Sequence, residues 1–200
     1  MSAQDKSNRL DYRVITDLIE PDSKVLDLGC GNGDLLSLLI QEKNARATGI
    51  EINESAIYQC VEKGLTVSQG DIDSGLADYS DKRFDYVILN ESLQEVLHPE
   101  KVILESLRVG KKAIVGIPNF CHIIGRFQIF FQGRVPVTKE LPYQWYDTPN
   151  LRFLSIKDFR LFCKAKGIIV EQERTITAKS EITSFRNLLG RIGIFLLSKG

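Results

Sequence analysis

Along most of this chain, short apolar runs alternate with longer stretches whose apolar residues recur every three or four positions. The runs at 24–28, 47–50, 65–69, 84–90 and 112–117 read as strands. Between them lie helical patterns. One covers 11–19 and stops at Pro21; the next carries Leu35, Leu36, Leu38, Leu39 and Ile40 on one face. A third opens at Asn53, a good N-cap, and closes at Gly64. A fourth runs over 92–108 with a break expected at Pro99, and another over 156–166 with Gly167 as its stop. Strands resume at 168–170 and 192–197. Strict alternation of strand and helix predicts βαβ units, and hence a doubly wound, mostly parallel α/β sheet.

The stretch 119–154 breaks this rhythm and forms an insert after the fifth strand, within a single domain spanning 1–200. Phe120, Ile123, Ile124, Phe127, Phe130 and Phe131 sit at helical spacing. Such a stripe is more often core than interface, although Arg126 and Arg134 also suit a lid or docking helix. A Pro-rich loop follows, dense in Tyr143, Trp145, Tyr146 and Asp147. Two readings stay open for it: it binds something, or its aromatics cover the edge of the sheet.

Composition narrows the function classes. The 26 Lys and Arg balance 26 Asp and Glu, which argues against a dedicated nucleic-acid binder. With 43% hydrophobic and 26% charged residues this is an ordinary globular chain. No apolar run reaches the roughly 18 residues of a membrane span, and the polar start MSAQDKSNRLDYR shows no secretory signal. A cytoplasmic protein is expected. Cys30, Cys60, Cys121 and Cys163 form no CxxC pair and read as reduced. Two histidines, His98 and His122, are too few for a His-rich metal site.

The nonapeptide VLDLGCGNG at 25–33 predicts a tight strand-to-helix turn where a ligand approaches the backbone closely. Its glycines, 29, 31 and 33, do not follow the Gly-x-Gly-x-x-Gly spacing of a dinucleotide fingerprint. Asp27 beside the loop would repel a pyrophosphate but attract a cationic amino group. A nicotinamide-dependent enzyme is therefore disfavoured. Acidic residues recur after the second and third strands, at Glu51 and Asp71, and the fourth strand ends at Asn90. In an open parallel sheet these positions converge on the crevice at the carboxyl ends of the strands. Glu51 suits both hydroxyls of a ribose and Asp71 an adenine amino group. The crevice so built takes a nucleoside joined to an amino acid, without phosphates.

In these motifs, VLDLGCGNG, GIEIN, GDID and FDYVILNESLQEV in that order, the chain resembles class I S-adenosylmethionine (SAM)-dependent methyltransferases. The resemblance implies a Rossmann-like fold with SAM or S-adenosyl-L-homocysteine in the crevice. Carried over by position, Gly29 and Gly31 would pass under the methionyl part and Asp27 would hold its amino group. Glu51 would take the ribose, Ile52 would pack on the adenine, Asp71 and Ile72 would frame the base, and Asn90 would lie near the sulfonium. The segment LPYQWYDTPNLRFLSIKDF, with PNF and GRVPVT upstream, further resembles the methionine biosynthesis protein family MetW. That resemblance implies a place in methionine synthesis alongside homoserine O-acyltransferase (MetX).

Methyl transfer from a sulfonium needs orientation more than a nucleophile. A base is not evident: His98 directly precedes Pro99 and suits a turn, and His122 lies in the apolar stripe as a packed or interface residue. The Asn/Asp-Pro-Pro-aromatic loop of DNA amino-methyltransferases is replaced by Asn90-Glu-Ser-Leu, which disfavours nucleic-acid methylation. Two readings follow: a SAM-responsive accessory protein of methionine synthesis, or a small-molecule methyltransferase.

Overall fold

The computed structural model describes residues 9–200; the polar stretch 1–8, part of the segment read as lacking a secretory signal, lies outside it. Seven strands form one sheet: β1 (Lys24–Leu28), β2 (Arg46–Glu51), β3 (Thr66–Gln69), β4 (Phe84–Asn90), β5 (Gly110–Pro118), β6 (Ile168–Ile176) and β7 (Ile192–Lys199). Their spatial order is β3-β2-β1-β4-β5-β7-β6. The first five are parallel, and β7 runs antiparallel to both its neighbours. The chain reverses its winding between β1 and β4, which opens a crevice at their carboxyl ends.

Side chains alternate between the two faces along each strand, so each face has its own core. Leu26, Leu28, Val87, Leu89 and Val115 point to one face. There they meet Val102, Ile103 and Leu107 of helix α4 (Pro99–Val109) and Ile156 and Phe159 of α6 (Ile156–Ala165). Val25, Ile88, Ile114 and Ile194 point to the other. They are covered by Val14 and Ile15 of α1 (Leu10–Leu18), and by Leu36 and Leu39 of α2 (Asp34–Lys43). Helix α3 (Glu54–Glu62) closes this face with Cys60 and begins where the Asn53 side chain accepts the Ala56 amide, as its N-cap role requires.

Two local expectations change, and one short element is added. Pro99 begins α4 rather than breaking it, since the first helical position needs no amide donor; residues 93–95 form a separate 3₁₀ turn. A short helix α7 (Arg186–Leu189) follows Phe185, whose φ is 50°. The aromatic stripe is not core. It forms α5 (Ile123–Gln132), in which Gly125 is buried while Ile123, Ile124, Phe127, Phe130 and Phe131 are exposed. None of its apolar side chains joins either core, and the insert is pinned to the body by its ends. The Phe120 amide donates to the Leu154 carbonyl at 3.1 Å, and the Asn119 amide group donates to the Gly190 and Asn187 carbonyls. All four cysteines are free thiols.

Candidate ligand-binding cleft

The loop after β1 turns sharply over the end of β2. The amides of Gly29 and Cys30 both donate to the Ile50 carbonyl, at 2.8 and 3.2 Å. Gly29, Gly31 and Gly33 adopt φ of 78°, 53° and 75°, a region that side chains resist. At Gly33 a Cβ would also run into Cys60 Sγ, whereas a Cβ on Gly31 would meet no protein atom within 4 Å. The loop thus packs down at Gly33 and leaves Gly31 open to the cleft.

Glu51, buried at the end of β2, organises the floor. Its Oε2 accepts the Gly31 amide at 2.8 Å; its Oε1 accepts the amides of Ile52 and Asn53 at 2.8 and 2.9 Å. A cavity of about 400 Å³ opens here. Gly29, Gly31, Glu51, Ile52, Asp71 and Ile72 line it on one side, and Glu91, Ser92, Glu95 and Val96 on the other. Ile52 is 64% exposed and forms an apolar shelf beside the Glu51 carboxylate. Asp71 caps the 3₁₀ turn at 72–74 through the Asp73 amide, and Asp73 accepts the amides of Leu97 and His98. The opposite wall is fixed to β1 by the Ser92 hydroxyl, which donates to the Leu28 carbonyl at 2.9 Å.

Two of the residues singled out in the sequence sit behind this lining. Asp27 is buried one position before the end of β1; burial first, and then the charge of Glu51, push its carboxyl up to about 7. Asn90 donates from Nδ2 to Asp11 at 2.9 Å, while its Oδ1 is buried without a donor and packs on Gly116. Sequence reasoning missed the cation here. Arg9, just before α1, grips Asp11 through two nitrogens, bonds the cleft-lining Glu91, and lies 4.2 Å over the Tyr12 ring. Burial works against the Arg9 charge, but Asp11, Tyr12 and Glu91 more than offset it. Glu91 shifts upward, because burial outweighs the pull of Arg9, and it holds φ at 56°, a strained value for a side-chain residue. No pattern around Arg9 marks it in the sequence; Glu91 and Glu95 were visible only as members of NESLQEV.

His98 does not line the cavity and acts as a backbone donor to Asp73; His122 caps α5, its Nδ1 accepting the Ile124 amide. Among the described residues no group of His, Cys, Asp and Glu is arranged to hold a metal ion, and no helix is long and apolar enough to cross a membrane.

The family model described as "Methionine biosynthesis protein MetW" matches residues 9–197. The chain belongs to the MetW family. A Rhodopirellula baltica protein named bifunctional methionine biosynthesis protein MetXA/MetW is 34% identical over 173 residues, covering 82% of this chain and 28% of that relative. A ubiquinone biosynthesis O-methyltransferase of Pseudomonas fluorescens is 37% identical over 93 residues, 44% of this chain and 40% of that protein. The MetW chain therefore spans less than half the length of these curated relatives. Its fold is that of class I methyltransferases. A Thermotoga maritima structure described as a SAM-dependent methyltransferase, possible histamine N-methyltransferase, superposes with a TM-score of 0.68 at 19% identity, covering 96% of this chain and 90% of that one. The two share the overall fold, and in this chain the antiparallel β7 completes the seven-stranded, mostly parallel sheet.

Proposed function

We propose that this MetW protein binds SAM, or its product S-adenosyl-L-homocysteine, in the cleft at the ends of β1, β2 and β4, and acts with a homoserine O-acyltransferase in methionine synthesis. The observation that carries the reading is the placement of Glu51. Its carboxylate holds the glycine loop open at Gly31; three backbone amides take three of its roughly four lone-pair sites, and the one left on Oε2 suits a ribose hydroxyl. The remaining residues fit the same ligand. Ile52 and Ile72 offer apolar faces for an adenine, with Asp71 at the base edge. Asp27, just behind the lining, carries a carboxyl whose charge would suit the ligand's cationic amino group.

Bound SAM supplies an electrophilic methyl group on a sulfonium. This chain's own residues orient that group: the glycine loop admits the methionyl part against the backbone, and the 91–96 wall closes the acceptor side. Calorimetric titration with SAM and with NAD tests the cleft, with saturable binding expected for SAM alone. Acyltransferase activity with and without this chain tests the pathway role. A rate that saturates with added chain supports it; no change at concentrations well above micromolar removes it. A second reading, a small-molecule methyltransferase, is favoured by the match to the ubiquinone-named relative. Transfer of labelled methyl from SAM to any metabolite in a cell extract would establish it.

A further inference from the structure

Twenty-two large apolar side chains are exposed among the described residues, and twelve of them belong to the insert 119–154. The most open is Phe130, 79% exposed, with Phe131 stacked on both it and Phe127 at centroid separations of 4.8 and 4.7 Å. Helix α5 holds one charged residue, Arg126, which is exposed but tied back along the chain: its Nε donates to the Cys121 carbonyl at 2.7 Å and its Nη2 to the Asn187 carbonyl. The cluster of Phe127, Phe130 and Phe131 beside it is aromatic and uncharged, which is the chemistry of an interface centre rather than of a solvated helix.

The face is also preorganised. Gln128 makes a two-way bond with the Val137 backbone, its Nε2 donating at 3.1 Å and its Oε1 accepting at 2.8 Å; Glu140 pairs with Arg191 at 2.8 Å. A rigid apolar face loses little conformational entropy when a partner covers it.

Resting on the acyltransferase reading above, we propose that the outer face of α5, led by Phe127, Phe130 and Phe131, is the surface on which the homoserine O-acyltransferase docks. The Rhodopirellula baltica relative supplies the choice of occupant. Its MetW-like part is 28% of a polypeptide whose name couples MetXA to MetW, so the second unit is covalently tethered beside it. Tethering of that kind gives effective concentrations on the order of millimolar, at which even a modest apolar contact stays closed. No such tether argues for a second copy of this chain.

The test uses the full chain, the acyltransferase of the same organism, and the double variant Phe130→Ser/Phe131→Ser. Both side chains are exposed, so the variant should keep its melting temperature and bind SAM within about twofold of wild type. Its affinity for the acyltransferase should fall by about tenfold or more, since exposed aromatic anchors carry much of an interface. A variant that still binds the acyltransferase like wild type overturns this docking face and leaves the proposed function standing. If the variant instead turns a dimer of this chain into a monomer without weakening acyltransferase binding, the face belongs to a second copy and the proposal is overturned. A wild-type chain that fails to bind the acyltransferase, with or without SAM, overturns the partner reading itself.

Discussion

The carboxylate of Glu51 accepts the amide of Gly31 across 2.8 Å, joining the end of β2 to the glycine loop that follows β1. One acidic side chain therefore shapes the loop and faces the ligand at once. Its other oxygen holds the amides of Ile52 and Asn53, so the turn into α3 depends on it too.

Replacing Glu51 tests both duties together. Glu51→Ala should weaken SAM binding by about 1.5–3 kcal/mol, the range for hydrogen bonds to a charged group, and should also lower the melting temperature. Glu51→Gln keeps the shape but presents an amide nitrogen to one set of donors, so it should lose affinity with a smaller loss of stability. Calorimetry and thermal melts read the two effects separately. Unchanged SAM affinity in Glu51→Ala would remove this residue from the site.

The parallel core was legible because its cause is local. Runs such as KVLDL and FDYVILN are too apolar and too short for helices, and the intervening 3.6-residue patterns leave one topology class. Glu51, Asp71 and the loop glycines were legible because a strand's carboxyl end fixes where its last side chain points. Arg9 was not, since its place in the site depends on Asp11 and Glu91, the latter 82 residues away in sequence. The α5 stripe misled for a related reason. Helical spacing of Phe and Ile says that one face is apolar, but not whether that face meets the core.

The Asp27 carboxyl, pushed up to about 7, makes the fold sensitive to pH. The unfolded chain releases this proton near the ordinary value of about 3.9, so between roughly pH 4 and 7 the native state holds more protons. The stability this group contributes is thus complete below about pH 4 and is lost as pH rises to 7, with a slope of at most about 1.4 kcal/mol per pH unit. Asp27→Asn should flatten that slope in denaturant titrations run from pH 4 to 8. A ligand amino group beside Asp27 favours the carboxylate. SAM binding to wild type at pH 6 should therefore release a proton, visible as buffer-dependent heat that the variant lacks.

Gly116 on β5 is small because Asn90 on β4 needs the room. A Cβ at 116 would strike Asn90 Oδ1, whose amide is held in place by Asp11 at 2.9 Å. Gly116→Ala should cost about 1–3 kcal/mol as an overpacked core site. Combining it with Asn90→Ala should recover part of that loss, because the clash disappears with the amide. A double-mutant cycle in urea reads the coupling directly. Strict additivity would mean that the two side chains do not share the space.

Gln94 links the cleft wall to the aromatic insert. Its carbonyl accepts the amides of Leu151 and Arg152 at 2.9 and 3.0 Å, and its Nε2 donates to the Glu91 carbonyl at 2.5 Å. The Arg152 guanidinium reaches back to the Leu97 carbonyl at 3.0 Å. Residues 91–98 therefore face the cavity with Glu91, Ser92 and Val96 and grip the insert from behind. A ligand that steadies this wall must also steady the insert's returning segment, because the same carbonyl holds both amides. Saturation with SAM should slow amide hydrogen exchange at Leu151 and Arg152. Arg152→Ala removes one anchor worth about 1 kcal/mol, so exchange over 149–154 should quicken roughly fivefold while the cleft keeps its affinity for SAM. Exchange at these two amides that ignores bound SAM would show the wall and the insert to be independent.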